Sequence, residues 1–282
     1  MRAFGKIWLS IGLISLALGL CLLIIAFASG FTMRKVDTYS FDESYRQEIK
    51  ALDFRISYGH VQLVEGNEFS IDADGLYEDG SFESYVRDGV WTIREKSRQQ
   101  VKLFGLHLPA ISIFGERFEP DIVITLPKDY KAEDIRLELG AARLEAGRLS
   151  SDTGSFILGA GEAHIKQLEV LKKSSFDVGA GYMELGNVNL HNINADCGVG
   201  YIQLEGIVTG DNKLECGVGK IRMDLEGDVE GYSYEIETGI GNVRVNGKNY
   251  MGSVERNARK DFLGSFDMEC GIGNITLEIH SS

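Results

Sequence analysis

A Gly-x-Gly triplet that returns at near-constant spacing constrains this chain more than any other feature. The copies are Gly159-Ala160-Gly161, Gly179-Ala180-Gly181, Gly198-Val199-Gly200, Gly217-Val218-Gly219, Gly239-Ile240-Gly241 and Gly271-Ile272-Gly273, with a degenerate first copy at Gly140-Ala141-Ala142. Their first glycines lie 19, 20, 19, 19, 22 and 32 residues apart, and the last interval holds an insertion around residues 249–264. Such a period marks a repeat architecture, in which one unit cannot bury its own apolar face and a stack of units can. Side chains on both flanks alternate with period two, as in a strand with one buried face. Before the triplet run Leu137/Leu139, Phe156/Leu158, Phe176/Val178, Ala195/Cys197, Leu214/Cys216, Ile236/Thr238 and Met268/Cys270. After it run Leu144/Ala146, Ala163/Ile165, Met183/Leu185, Ile202/Leu204, Ile221/Met223, Val243/Val245 and Ile275/Leu277. Each repeat therefore reads as strand, glycine corner, strand and return. The expected fold is all-β: a β-solenoid or β-roll of about seven coils of 19–22 residues over 131–282, successive coils lying on one another. The glycines are expected at the corners because glycine accepts positive φ there.

Residues 51–130 are less regular. Phe54 to Gly66 resembles an outlying copy of the repeat, and Ile122 to Pro127 is a short apolar strand stopped by proline. This stretch is expected to form the N-terminal β region and the cap that an open stack end needs. With 34 Gly and only 3 Pro, the composition suits strands and tight turns.

Residues 7–31 are uncharged and apolar or small, with Arg2 and Lys6 before them and Arg34 and Lys35 after. A helix of about 20 such residues crosses a bilayer. The expected organisation is a short cytoplasmic tail (1–6), a transmembrane helix or uncleaved signal anchor (7–31), a linker (32–50) and the β domain outside the cytoplasm. A cleaved signal peptide ending at Ala26-Phe27-Ala28 is the rival reading. A lipoprotein site at Cys21 suits the run less well, since Cys21 lies in its middle.

All 42 acidic residues lie after residue 36. Four of the 29 basic ones lie at or before residue 35, which leaves 25 and a balance of −17 beyond it. That charge disfavours nucleic acid and bare anionic lipid as partners. The G-x-G triplets are not nucleotide loops, because each leads into a strand rather than a helix.

The strand ending at Pro127, the G-x-G strand repeats running on to the C-terminus and the single apolar run ahead of them carry a resemblance. The chain resembles the bacterial putative-adhesin family of β-strand-repeat proteins, a family of unknown function. It is similar to the toast-rack domains found beside envelope-stress sensing systems. The resemblance covers about residues 50–279. It implies an extracytoplasmic β-repeat domain with an adhesion or envelope-sensing role and no catalytic signature. Where the family has a polar residue before the G-x-G, this chain has Cys197, Cys216 and Cys270.

Three features are candidate sites. The position two before the first glycine points outward and carries Glu138, Ile157, Asp177, Asp196, Glu215, Glu237 and Glu269. Stacked in register, these acids form a column that either recruits a cation such as Ca²⁺ or keeps a face solvated. The three cysteines read as core residues, with a disulfide between stacked neighbours as the alternative. The apolar insertion Val101 to Phe118 reads as a cap over the stack end, with a membrane or partner contact as the alternative. No cofactor, metal or catalytic group is expected from the motifs. The expected function is a non-enzymatic, membrane-anchored adhesin or envelope-binding module facing a wall polymer or an envelope protein. The alternatives are an accessory component of envelope-stress signalling and, further off, a polysaccharide-active β-helix enzyme.

Overall fold

The structure is a computed structural model that describes residues 38–78, 81–96, 100–103, 106–109, 119–259 and 261–281. The segment 7–31 lies outside them, so the expected membrane span is not among the described residues. Within them the fold is all-β. The single helical element is the 3-10 turn Val229–Gly231.

The strands are β1 (Thr38–Tyr45), β2 (Ala51–Gly66), β3 (Phe69–Tyr77), β4 (Ser81–Arg87), β5 (Val90–Lys96), β6 (Gln100–Leu103), β7 (Leu106–Pro109), β8 (Asp121–Pro127), β9 (Ala132–His191), β10 (Ile193–Glu226), β11 (Tyr232–Val245), β12 (Lys248–Arg256) and β13 (Gly264–His280). β9 carries the corners at Gly140, Gly159 and Gly179 and β10 those at Gly198 and Gly217, because the backbone stays extended through the corners. Eleven of the strands form one open sheet in the order β1-β3-β8-β2-β9-β10-β13-β11-β12, with β5 attached to β2 and β4 to β5.

The coils stack in parallel register. Phe54 faces Leu137 and Val61 faces Leu144 between β2 and β9. Ala195 faces Phe176 and Ile202 faces Met183 between β9 and β10. Leu214 and Cys216 of β10 face Met268 and Cys270 of β13. Equal positions on successive coils thus share one interior. The inward residues form one continuous apolar cluster from Leu52 to Ile279. Burying each large aliphatic side chain contributes about 1.5–3 kcal/mol, which a lone coil would forgo.

The expectation that coils stack in chain order fails at the last one. The coil of β13 lies between β10 and β11, with Ile236 and Val243 of β11 facing its Met268 and Ile275. The insertion seen in the sequence is β12, which folds back antiparallel on β11 and covers the end of the stack. The chain then returns to fill the place left beneath β11.

The expected positive φ accounts for the second glycine of the triplets and not for the first. Positive φ holds at most of the second glycines of the triplets, for example 147° at Gly161 and 148° at Gly219. The first glycines are needed for closeness instead. A Cβ on Gly159, Gly179, Gly198 or Gly217 would lie 2.6–2.9 Å from the carbonyl oxygen of the matching glycine on the coil before. At Gly219 both conditions meet: its Cβ would lie 1.8 Å from the Gly200 carbonyl oxygen.

Asparagines serve the returns. Asn192, at φ 54°, accepts from the Asp211 backbone N–H through its side-chain oxygen (2.9 Å) and donates to the Lys172 carbonyl (3.1 Å). The buried Asn212 accepts from the Ile193 N–H (3.0 Å) and donates to the carbonyls of Gly210 and Ser265. Side-chain amides here satisfy backbone groups that the bends leave without a strand partner.

The N-terminal end is closed by two segments. β5 pairs with the front half of β2 and β8 with its rear half. Trp91, fully buried, packs against Tyr45, Phe54 and Phe69 and donates its indole N–H to the Ser84 hydroxyl (3.0 Å). The corner of β2 lies between these two ladders. There the buried carboxylate of Glu95 accepts the N–H groups of Ser57 (2.8 Å) and Tyr58 (3.2 Å).

Two outcomes follow from this geometry. Gly219→Ala will cost about 3 kcal/mol or more of stability in urea unfolding, through backbone strain and a collision with the neighbouring coil. Gly247→Ala, with φ 75° but open space around it, will cost only about 1 kcal/mol. Burial raises the folded-state pKa of Glu95 above its ordinary value. Its folded carboxyl therefore holds a proton after the unfolded one has lost it, and stability falls as pH rises through the folded pKa. Glu95→Gln keeps an acceptor for both N–H groups, so it will flatten that slope and be no less stable than wild type at neutral pH.

Candidate binding face

The stack turns each repeat position into a column, and three of these columns carry chemistry. The first is the acidic column ahead of the corner. Asp177 lies opposite Asp196, and Glu269 lies between Glu215 and Glu237. Because β13 is inserted, the run in space is Asp177, Asp196, Glu215, Glu269, Glu237. Glu138 is separated from it by Ile157 and meets Arg55 (3.4 Å) and Arg136 (3.6 Å). Lys213 pairs with Glu215 at 2.5 Å, and Asn194 donates to Asp196. The acids are strung out one per coil. Among the described residues no group of three or more His, Cys, Asp or Glu side chains gathers to hold a metal ion.

The second column is the cysteine set. Cys197, Cys216 and Cys270 are free thiols and 3–4% exposed. Cys216 faces Cys270 directly, with Thr238 on the far side of Cys270. Burial, with Cys216 beside it, pushes the Cys270 thiol up to about 11. The hydrogen bond and charge of Cys197, with burial, hold Cys216 above its ordinary value too. These thiols pack as small hydrophobes.

The third column, just past the corner, was not singled out from the sequence. Its side chains touch from coil to coil along one solvent-facing strip. His60 meets Asp121 (3.2 Å) and Glu145 (3.7 Å), and Arg143 meets Glu162 (3.3 Å). His164 lies 3.1 Å from Glu184 and 3.8 Å from Glu162. The rings of His164, Tyr182 and Tyr201 form a ladder, with centroids 5.4 and 5.2 Å apart and planes tilted by 47° and 50°. The Tyr182 hydroxyl donates to Glu184 (3.0 Å) and the Tyr201 hydroxyl to Gln203 (2.8 Å), each two residues along its own strand. The rings are thus laid along the strands and held there. Burial, then the bond and charge of Glu184, push the Tyr182 phenol up to about 12, so it remains a donor through the physiological range. Burial raises Tyr201 as well. The signal in the sequence was Tyr182 and Tyr201 following successive G-x-G triplets, where neighbouring copies carry charged or amide residues.

The apolar insertion is described only as the hairpin of β6 and β7, which pair with each other as a separate sheet. Residues 104–105 and 110–118 lie outside the described residues. Among the described residues no helix is long and apolar enough to cross a membrane.

An all-β repeat domain with parallel coils, closed at each end by antiparallel strands, is the class of protein defined by this geometry. The chain belongs to the Toastrack family, described as Toastrack DUF4097, which it matches over residues 49–261. Solved structures similar to it include a putative adhesin from Bacteroides fragilis (14% identity, 85% of this chain and 96% of that one, TM-score 0.41). Others are a putative cell adhesion protein from Clostridium sporogenes (14%, 86% and 100%, TM-score 0.35) and a putative lipid binding protein from Parabacteroides distasonis (10%, 88% and 98%, TM-score 0.33). With likenesses this distant, nothing about function passes from them to this chain. A search of curated proteins found no match.

The burial of the thiols has a direct test. Alkylation of the folded protein followed by peptide mapping will leave Cys197, Cys216 and Cys270 unmodified, and all three will react in denaturant. Cys216→Ala will cost ~1 kcal/mol through the small cavity it leaves.

Proposed function

We propose that this protein is a non-catalytic adhesin-type binding module of the cell envelope. Residues 7–31 anchor it in the membrane, and its solenoid-like β domain stands outside the cytoplasm. One observation carries the reading: the strip of His164, Tyr182 and Tyr201, with Glu162, Glu184 and Gln203 beside the rings. Such a strip suits an extended glycan. The apolar faces of sugar rings stack on aromatic rings, and carboxylate and amide groups accept and donate to sugar hydroxyls. Rings held by hydrogen bonds before binding lose little freedom when a ligand docks, which favours affinity. The ladder runs across the coils, so the polymer lies along the stack. The acidic balance supports an uncharged or cationic polymer over an anionic one. The apolar run with its basic flanks supports the anchor.

Tyr182→Ala and Tyr201→Ala will each weaken binding of the purified chain to isolated cell-wall glycan by about tenfold, and the pair by more. Their unfolding midpoints will shift little, since both side chains lie on the outer face. Unchanged binding in the double variant would remove the strip from the function. A full chain that ignores wall glycan but co-purifies with an envelope sensor would favour the signalling role instead.

A further inference from the structure

The middle residue of each G-x-G points out of the corner, and along the stack these residues change from alanine to branched aliphatics. Ala141, Ala160 and Ala180 come first, on the coils of Arg143, His164 and Tyr182. Beyond them come Val199 (56% exposed), Val218 (44%), Ile272 (50%) and Ile240 (69%). Ile272 faces Val218 on one side and Ile240 on the other, so the insertion of β13 makes the series continuous. At its end β12 shifts register as it passes the corner of β11. That shift brings Met251, 94% exposed, opposite Asn242, and the Thr238 hydroxyl donates to the Gly252 carbonyl (3.4 Å). Five large apolar side chains thus stand in one row on solvent, whereas single exposed apolar residues are ordinary.

In the positions nearest this row the charges are sorted. On the side ahead of the corner lie Glu215, which also meets Lys213, and Glu269 and Glu237. On the side past it lie Lys220, Arg222, which also meets Asp224 (3.6 Å), and Arg244, which also meets Glu278 (3.1 Å). A surface that is acid on one flank and basic on the other complements itself when two copies meet row to row about a two-fold axis parallel to the stack. In that arrangement Glu215 of each copy faces Lys220 of the other, and Glu237 faces Arg244. Residues of the row then meet their own equivalents, as an isologous contact requires. The alternative two-fold, across the stack, would set acid against acid. An anionic lipid surface would be repelled by the acidic flank.

We propose that the row Val199, Val218, Ile272, Ile240 and Met251 is a self-association surface, through which two copies pair side by side with their stacks running in the same direction. The alanine end of the row leaves the coils of His164 and Tyr182 open, while Tyr201 shares its coil with Val199 at the edge of the paired surface.

The test uses the full chain in intact expressing cells, with Cys21→Ser to silence the thiol outside the domain. Ile272→Cys will give a disulfide-linked dimer on mild oxidation, read on a non-reducing gel. Leu171→Cys, exposed at the returns and far from the row, will not. Adding Glu215→Lys will reduce the dimer severalfold, and adding Lys220→Glu as well will restore it. Ile240→Asp will weaken the linkage at Ile272→Cys by at least about tenfold, with the circular dichroism unchanged. Equal cross-linking at both cysteine positions, no dimer at either, or no rescue by the paired reversal would each overturn the proposal. So would loss of binding to neutral phosphatidylcholine vesicles in Ile240→Asp when no dimer forms, which would assign the row to a lipid surface.

Discussion

The distance between coils at the glycine corners is the constraint on which the remaining structure depends. Parallel strands hydrogen-bond at about 4.8 Å, and here they do so while turning sharply. At the turn each coil presses its backbone onto the carbonyl oxygens of the coil before it. There is no room for a Cβ at the first glycine, and the backbone of the second takes a conformation that other residues seldom adopt. Once that contact is made, the register is fixed. Every position before and after the corner must then line up with its equivalents, and one residue of slip would turn the apolar set outward. The core, the cysteine column, the acidic column and the tyrosine strip are all consequences of this register.

A stack held this way has two vulnerable ends, and the chain closes them differently. At the N-terminal end two short segments share the underside of β2, and an aromatic cluster about Trp91 fills the space that a regular coil would occupy. At the corner a buried carboxylate costs desolvation but gives the Ser57 and Tyr58 N–H groups an acceptor. At the other end β12 is laid antiparallel over β11, so the terminal strand is an edge of ordinary hairpin type, with lysine, glutamate and arginine along it. Charged edge strands resist further pairing. Growth of the stack by addition of another chain is thereby discouraged beyond β12. Contacts between molecules are left to the sides of the stack, where the tyrosine strip and the aliphatic row lie.

Much of the architecture was legible in the sequence because periodicity survives folding. The spacing of the triplets gave the coils, and the alternation on their flanks gave the buried set. Cys197, Cys216 and Cys270 were readable as core residues from their place in that alternation. The acidic column was readable as a column, since it needs only equal positions in equal repeats. The tyrosine strip escaped notice, because it consists of different residue types: histidine, tyrosine, glutamate and glutamine. A repeat position that varies looks like noise until the contacts between coils show the side chains touching. The asparagines of the returns escaped for a similar reason, since their roles rest on backbone groups in other coils.

By itself the sequence determined that residues 51–282 hold a β domain of stacked coils, which positions are buried, and that glycines mark the corners. These follow from local rules, the period of two along a strand and the steric demand of a tight turn. Only the tertiary structure decided the order of the coils. Nothing local distinguishes a final coil stacked last from one slipped beneath its predecessor, because both bury the same residues in the same register. That choice was made by β12, which occupies the outer edge of β11 and leaves its inner edge for β13. It is also what brings Glu269 between Glu215 and Glu237, and Ile272 between Val218 and Ile240.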